Sequence, residues 1–295
     1  MKSIPLTVLV HDAPCARAYL TAMRQAGLRP RKIILMVDSR KPGSQKPLLR
    51  WIPENMRTQV AERIHEQANN YWPRRIIQKH PGLVGKMAEK LQPWFPNASQ
   101  MFQEITQQFR YENYADEVQR VLVAGLKDKR LHASLLKEPA GTPILFTGGG
   151  ILPASLVEMT NVRFMHVHPG VLPFVRGADG LLWSVLVRQK LGASCFYMER
   201  GIDTGTIIAA QEYSQPTISI PSANRPDDAT LYRAVFSFFD PFMRANLLLR
   251  EVLSSGDDLF HLPAHSQQES EGITFHFLRP ELRHKALIRV FPNAA

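Results

Sequence analysis

Two histidines and an aspartate carry the reactive chemistry that stands out in this chain. His166 and His168 lie two apart in the run His166-Val167-His168-Pro169-Gly170-Val171-Leu172-Pro173. On an extended strand, residues two apart point to the same face. Pro169 ends the strand and biases His168 toward extended backbone. Two imidazoles therefore emerge together at the carboxyl end of a strand, where open α/β sheets bind ligands. Downstream, the turn Glu199-Arg200-Gly201-Ile202-Asp203-Thr204-Gly205 adds a carboxylate. An imidazole titrates near neutral pH, and a carboxylate beside it raises its pKa. Such a pair suits proton transfer and the stabilisation of developing negative charge. The same three residues also have the types of a zinc-hydrolase site, although no further Cys/His cluster supports that reading. Plainer roles stand beside these: His166 as a strand-end histidine bonded to backbone, and Asp203 as a turn residue.

The elements that must position these groups follow from the hydrophobic pattern. Leu6 to Val10 and Lys32 to Val37 read as buried strands around a helix over Pro14 to Gln25, with Asp12 as its N-cap and Gly27 beyond its end. Strand, helix, strand at the start points to a parallel, doubly wound sheet. Amphipathic helices are expected over Glu54 to Asn70, Gly85 to Leu91 and Ser99 to Phe109, punctuated by prolines. Alternation resumes with strands at Ile144 to Thr147 and Val162 to His168, and a helix over Gly177 to Lys190. Strands at Ser194 to Met198 and Thr206 to Tyr213 follow. A long helical stretch then runs from about Asp227 to Leu253, with a break expected at Pro241, before a polar tail and a last ordered segment, Ile273 to Phe291.

The run from His168 to Pro173 with Arg176-Gly177, followed by the turn Gly201 to Gly205, resembles the folate-dependent formyltransferases. The parallels are the methionyl-tRNA, glycinamide-ribonucleotide and sugar N-formyltransferases. Gly150-Ile151-Leu152-Pro153 is similar to that family's loop before the catalytic strand. The resemblance covers residues 144–213, is loose over 1–40 and is absent over 45–120. It implies an α/β, Rossmann-like formyltransferase fold, with a mostly parallel twisted sheet, helices on both faces and a helical insertion at about 41–120. Residues 1–215 would form the catalytic domain and 216–295 a mainly helical extension packed on it.

The resemblance also implies 10-formyltetrahydrofolate as co-substrate, an amine as acceptor and no metal. His168 and Asp203 match the family's catalytic histidine and aspartate, and His166 stands where the family has asparagine. An amine would attack the formyl carbon, His168 would stabilise the oxyanion, and Asp203 would set the charge of His168. An asparagine amide donates a hydrogen bond without changing charge, whereas His166 donates only in the right tautomer. Gly150, Ile151 and Leu152 would line the pterin pocket, and Ile202 and Thr204 would close its other side. Arg176 and Gly170 are the candidate substrate contacts, Arg176 for an anionic part. Formyl transfer to a small, anionic amine such as an amino sugar, a hydroxylated amine or a nucleotide-linked amine is the expected function. The alternatives are a 10-formyltetrahydrofolate hydrolase and a catalytically silent binding protein.

The remaining features bound this reading. A chain of 295 residues buries a core without disulfides, and its two cysteines, Cys15 and Cys195, make no disulfide framework. A reducing, cytoplasmic setting is expected, with no signal peptide in the short Ile4 to Val10 run and no membrane span. The net charge of +10 favours anionic partners. Basic clusters at Arg29–Lys32, Arg40–Lys41 and Lys127–Arg130 would suit phosphates. However, a methionyl-tRNA formyltransferase carries a C-terminal β-barrel, and the stretch after Tyr213 reads as helix, which argues against nucleic acid as partner. A homodimer is compatible with all of this. Gly148 to Gly150 reads as close backbone approach at a strand end rather than a phosphate cradle. Asp179 is expected to cap the following helix, and Cys15, Cys195, Trp183 and Phe236 to Phe239 to pack.

Overall fold

The computed structural model describes every residue except Ser255, Asp257 and Ala295. The amino-terminal half of the sheet forms from β1 (Lys2–His11), β2 (Leu28–Asp38), β3 (Glu117–Val123) and β4 (Thr142–Phe146). It continues through β5 (Val162–His168), and a short β6 (Val175–Gly177) lies outside it. β7 (Lys190–Tyr197) and β8 (Ile207–Ser214) complete it. The order is β3-β2-β1-β4-β5-β7-β8. Strands β1 to β5 run parallel, and β7 and β8 are antiparallel additions. The central parts of β1, β2 and β4 read as apolar runs because both faces are covered. Val8 and Val10 of β1 belong to one core layer, and Leu9 between them belongs to the other.

Helices supply those two covers. On one face lie α1 (Pro14–Gln25), α4 (Pro81–Leu91), α5 (Ala98–Thr106) and α8 (Gly180–Arg188), burying Leu20, Met87, Phe102 and Leu182. On the other lie α6 (Lys129–Leu135) and the short α7 (Ala154–Val157), through Leu131, Leu135 and Leu156. The expected mostly parallel α/β architecture is therefore what forms. The insertion holds four helices, with α2 (Glu54–Asn69) and α3 (Tyr71–Lys79) preceding α4. The pattern missed α3 because Pro73 suggested a breaker, yet Pro73 sits in the first turn, where no N–H is required. For the same reason α4 begins at Pro81 rather than Gly85.

Two expected caps are corrected. Asp12 does not cap α1, whose N-cap is Ala13. Its carboxylate instead accepts from Arg17 at 2.8 and 3.0 Å and from the Tyr111 hydroxyl at 2.7 Å. Asp179 occupies the N-cap position of α8 without a side-chain cap bond. It accepts from the Tyr232 hydroxyl at 2.6 Å and the Leu278 amide at 2.9 Å. In both cases a distant donor outcompetes the local one.

After β8 the chain makes a two-residue strand, β9 (Ile220–Pro221), then α9 (Asp228–Ala234) and α10 (Asp240–Leu247). Wider π-turns at Val235–Phe239 and Leu248–Leu253 make this one continuous helix. The break expected at Pro241 does not occur. The π-turn just before it accommodates a residue that lacks an N–H. The chain then returns to the sheet edge, where β10 (Ile273–Phe275) pairs in parallel with β6, and α11 (Pro280–Val290) packs on α8. Among the described residues no helix is long and apolar enough to cross a membrane.

Candidate active site

His168 is the last residue of β5 and is 2% exposed. Its Nε2 lies 2.8 Å from the carbonyl oxygen of Val175, and its Nδ1 lies 3.3 Å from Asp203 Oδ2. A carbonyl only accepts, so Nε2 carries a proton. Nδ1 faces the carboxylate at ion-pair distance. Asp203 Oδ2 also accepts from the Gly177 amide at 2.8 Å. Asp203 adopts a left-handed backbone with φ of 55°, a region aspartate tolerates better than most residues. The imidazole and carboxylate predicted from separate motifs, 35 positions apart in sequence, thus meet.

The ring of His168 is packed by glycines. A Cβ on Gly170 would stand 2.8 Å from Nε2, and one on Gly180 would stand 2.9 Å from the same atom. Gly170 is thus buried against the His168 imidazole, and its expected role as a substrate contact is corrected to that of a spacer. Arg176 is likewise corrected. It is 3% exposed and donates from Nε to Gln267 Oε1 at 3.1 Å and from Nη2 to the Gln268 carbonyl at 2.8 Å. Gln267 in turn donates to the carbonyls of Asp203 at 2.9 Å and Gly205 at 2.6 Å. The guanidinium therefore joins the returning tail to the Asp203 turn. No motif announced Gln267 or Val175, and Gly177, though part of the Arg176-Gly177 pair, acts here through its backbone amide.

A cavity of about 110 Å³ opens beside this pair. Its lining includes Gly150, Ile151, His166, Phe196, Ile202 and Asp203. Ile151 is 73% exposed and Ile202 44% exposed, so two apolar side chains stand at its mouth. Leu152 does not join them. It is 5% exposed and packs in the core layer under α6 and α7. Thr204 is absent from the lining and donates to the Arg200 carbonyl at 2.9 Å, holding the turn closed. Burial foremost, then the nearby Arg244 charge, pushes the His166 imidazole down to about 4. Arg244 lies behind β5, donating to the Val167 carbonyl at 3.1 Å and to Asp240 Oδ2 at 2.6 Å.

A second, larger cleft of about 260 Å³ sits at the carboxyl ends of β1 and β2. His11, Asp12, Asp38, Arg40, Lys41 and His65 line it. Burial lowers the His11 pKa, and Asp12 and Asp38 oppose that shift. Gly149 brings the loop after β4 against His11, so this loop adjoins both clefts. Sequence reading passed over this cleft because its lining is gathered from β1, β2, the loop after β2 and α2.

The remaining candidates have structural partners. Burial raises both thiols, Cys195 to about 12, so neither is a ready nucleophile. Trp183 stacks on Phe275 at 4.4 Å and ties down the tail. Several residues of the basic clusters are engaged within the fold: Lys32 with Glu138, Arg40 with Asp38, Arg130 with Asp128. No group of three metal-binding side chains is arranged to hold an ion among the described residues.

Comparison with known proteins agrees with this geometry where the site lies. Residues 124–215 match the formyl transferase family model. Through that stretch the chain is similar to formyl transferases. It is 30% identical over 93 residues to a methionyl-tRNA formyltransferase of Syntrophus aciditrophicus, covering 31% of this chain and 30% of that one. A methionyl-tRNA formyltransferase of Clostridioides difficile is 35% identical over 65 residues, 22% of this chain and 21% of that one. The chain thus spans less than a third of the length of these curated relatives. Among solved structures, a sugar N-formyltransferase from a Shewanella species aligns with a TM-score of 0.44 at 12% identity, over 97% of this chain and 86% of that one. A phosphoribosylglycinamide formyltransferase from Bacillus halodurans gives 0.38 at 14% identity, over 88% and 99%. At these scores the likeness adds nothing to what the sheet itself displays.

Proposed function

We propose that the protein transfers a formyl group from 10-formyltetrahydrofolate to the amine of a small metabolite. The observation that carries this reading is the 3.3 Å approach of His168 Nδ1 to Asp203 Oδ2 beside the cavity at Ile151 and Ile202. The lining suits the formyl-bearing end of a flat heteroaromatic donor, with apolar walls from Ile151, Phe196, Met198 and Ile202 and backbone groups from Gly148 and Gly150. A donor bound there supplies an activated formyl carbon. His168, buried with both ring nitrogens engaged, would act through Asp203, whose carboxylate lines the cavity beside the formyl group.

The second cleft favours transfer over hydrolysis, since water needs no binding site of its own. Its polar, mixed-charge lining suits a hydroxylated or charged acceptor. An amino sugar, a hydroxylated amine or a nucleotide-linked amine has that character. The test is consumption of 10-formyltetrahydrofolate against a panel of amines. The native protein is expected to turn over with at least one amine, and His168→Ala and Asp203→Ala are expected to lose about 10²–10⁴-fold. Equal turnover by native and His168→Ala proteins would remove the basis for the assignment.

A further inference from the structure

His166 is oriented to do the opposite of what an asparagine at its position would do. Its Nδ1 lies 2.8 Å from the carbonyl oxygen of Phe146. That oxygen can only accept, so Nδ1 carries the hydrogen and the neutral ring keeps its lone pair on Nε2. Nε2 makes no hydrogen bond among the described residues, and the ring lines the cavity beside Asp203. Phe146 and Phe196 flank the imidazole, with ring centroids at 5.9 and 6.0 Å. Turning the ring over would sacrifice the bond to Phe146. An asparagine amide offers the cavity an N–H; His166 offers it a bare nitrogen.

We infer that His166 Nε2 is the proton acceptor for the incoming amine. This rests on the formyl-transfer reading and divides the labour within it: His168 acts from behind through Asp203, and His166 faces the nucleophile. The amine nitrogen bonds to the formyl carbon and gives its proton to Nε2. The bond from that carbon to the donor nitrogen then breaks. Its electron pair leaves with the donor nitrogen, which takes the proton back from Nε2. Atoms and charge balance without any further reagent. The surrounding charges agree with this role. Arg244 from α10 and His168 from β5 oppose a resting positive charge on His166, Asp203 in the turn before β8 favours it, and Glu199 also lines the cavity. With burial foremost, the ring rests neutral at neutral pH.

Two readouts on the full chain test this. The first is side-chain ¹⁵N–¹H correlation of the histidines, with His166 assigned by the signals lost in His166→Asn. The expected result is an Nδ1–H tautomer at pH 7 that stays neutral down to about pH 4. An Nε2–H tautomer, or a protonated ring at pH 6, overturns the base role whatever the activity. The second is kcat/KM against pH with an amine the native protein accepts. His166→Asn and His166→Gln should lose about 10²-fold or more and drop the acidic limb that His166 imposes. Unchanged turnover and an unchanged profile in both variants overturn the role alone. If the native chain formylates no amine, the formyl-transfer reading fails and the base role fails with it.

Discussion

At the scale of single residues, protonation is set by what each imidazole nitrogen faces. His168 is held between a carbonyl and a carboxylate; His166 is held by a carbonyl on one side and open cavity on the other. The second arrangement has a consequence for stability. Folded His166 stays neutral to about pH 4, whereas the same residue unfolded protonates near 6.5. Between those values the unfolded chain binds the extra proton, so stability falls as pH falls. From pH 7 to pH 5 this residue should remove about 2 kcal/mol. Urea denaturation at the two pH values should find that loss in the native chain and a correspondingly flatter response in His166→Asn. Identical pH responses in the two proteins would contradict a neutral His166.

At the scale of elements, the site depends on a strand that joins the sheet from far along the chain. β10 pairs with β6, and β6 supplies both the Val175 carbonyl that holds His168 and the Gly177 amide that holds Asp203. Gly177 has φ of 87°, and a Cβ there would stand 2.2 Å from the Phe275 carbonyl oxygen. Gly177→Ala should therefore separate β6 from β10, and strained backbone adds about 1–3 kcal/mol. Hydrogen exchange in residues 272–278 should accelerate in that variant, and the proposed formyl transfer should fall with it. Unchanged protection of that segment would mean that the two strands do not support each other. The neighbouring Arg244–Asp240 pair works on the same principle from the opposite face of β5. Asp240 is fully buried, and the bond from Arg244 to Val167 ties α10 to the strand between the two histidines.

At the scale of the whole molecule, the carboxyl-terminal segment is part of the core rather than an appendage. Phe291 is 0% exposed and belongs to the same core layer as α1, α5 and α10. Truncating it to alanine should cost about 3–5 kcal/mol. If the tail and sheet form one cooperative unit, Phe291→Ala should shift a single unfolding transition to lower denaturant. A separate early transition, with the sheet unaffected, would assign the tail to an independent unit. The same returning segment carries Gln267 to the Asp203 turn, so the fold's closure and the site's geometry share their contacts.

What the sequence determined by itself was local and periodic. Apolar runs specified four of the five parallel strands, with β3 passed over for its Glu117, Gln119 and Arg120, amphipathic spacing specified most of the insertion helices, and the family resemblance implied the pairing of His168 with Asp203. These signals exist because side-chain direction repeats every two residues in a strand and every 3.6 in a helix. Tertiary structure alone decided the rest. It sent Asp12 and Asp179 away from their helix ends, turned Leu152 and Arg176 inward, carried the helix past Pro241 and chose the tautomer of His166. Most of those outcomes depend on a partner far away in sequence, often a backbone carbonyl or amide. Every residue owns such groups, so no residue type marks in advance which one a folded chain will use.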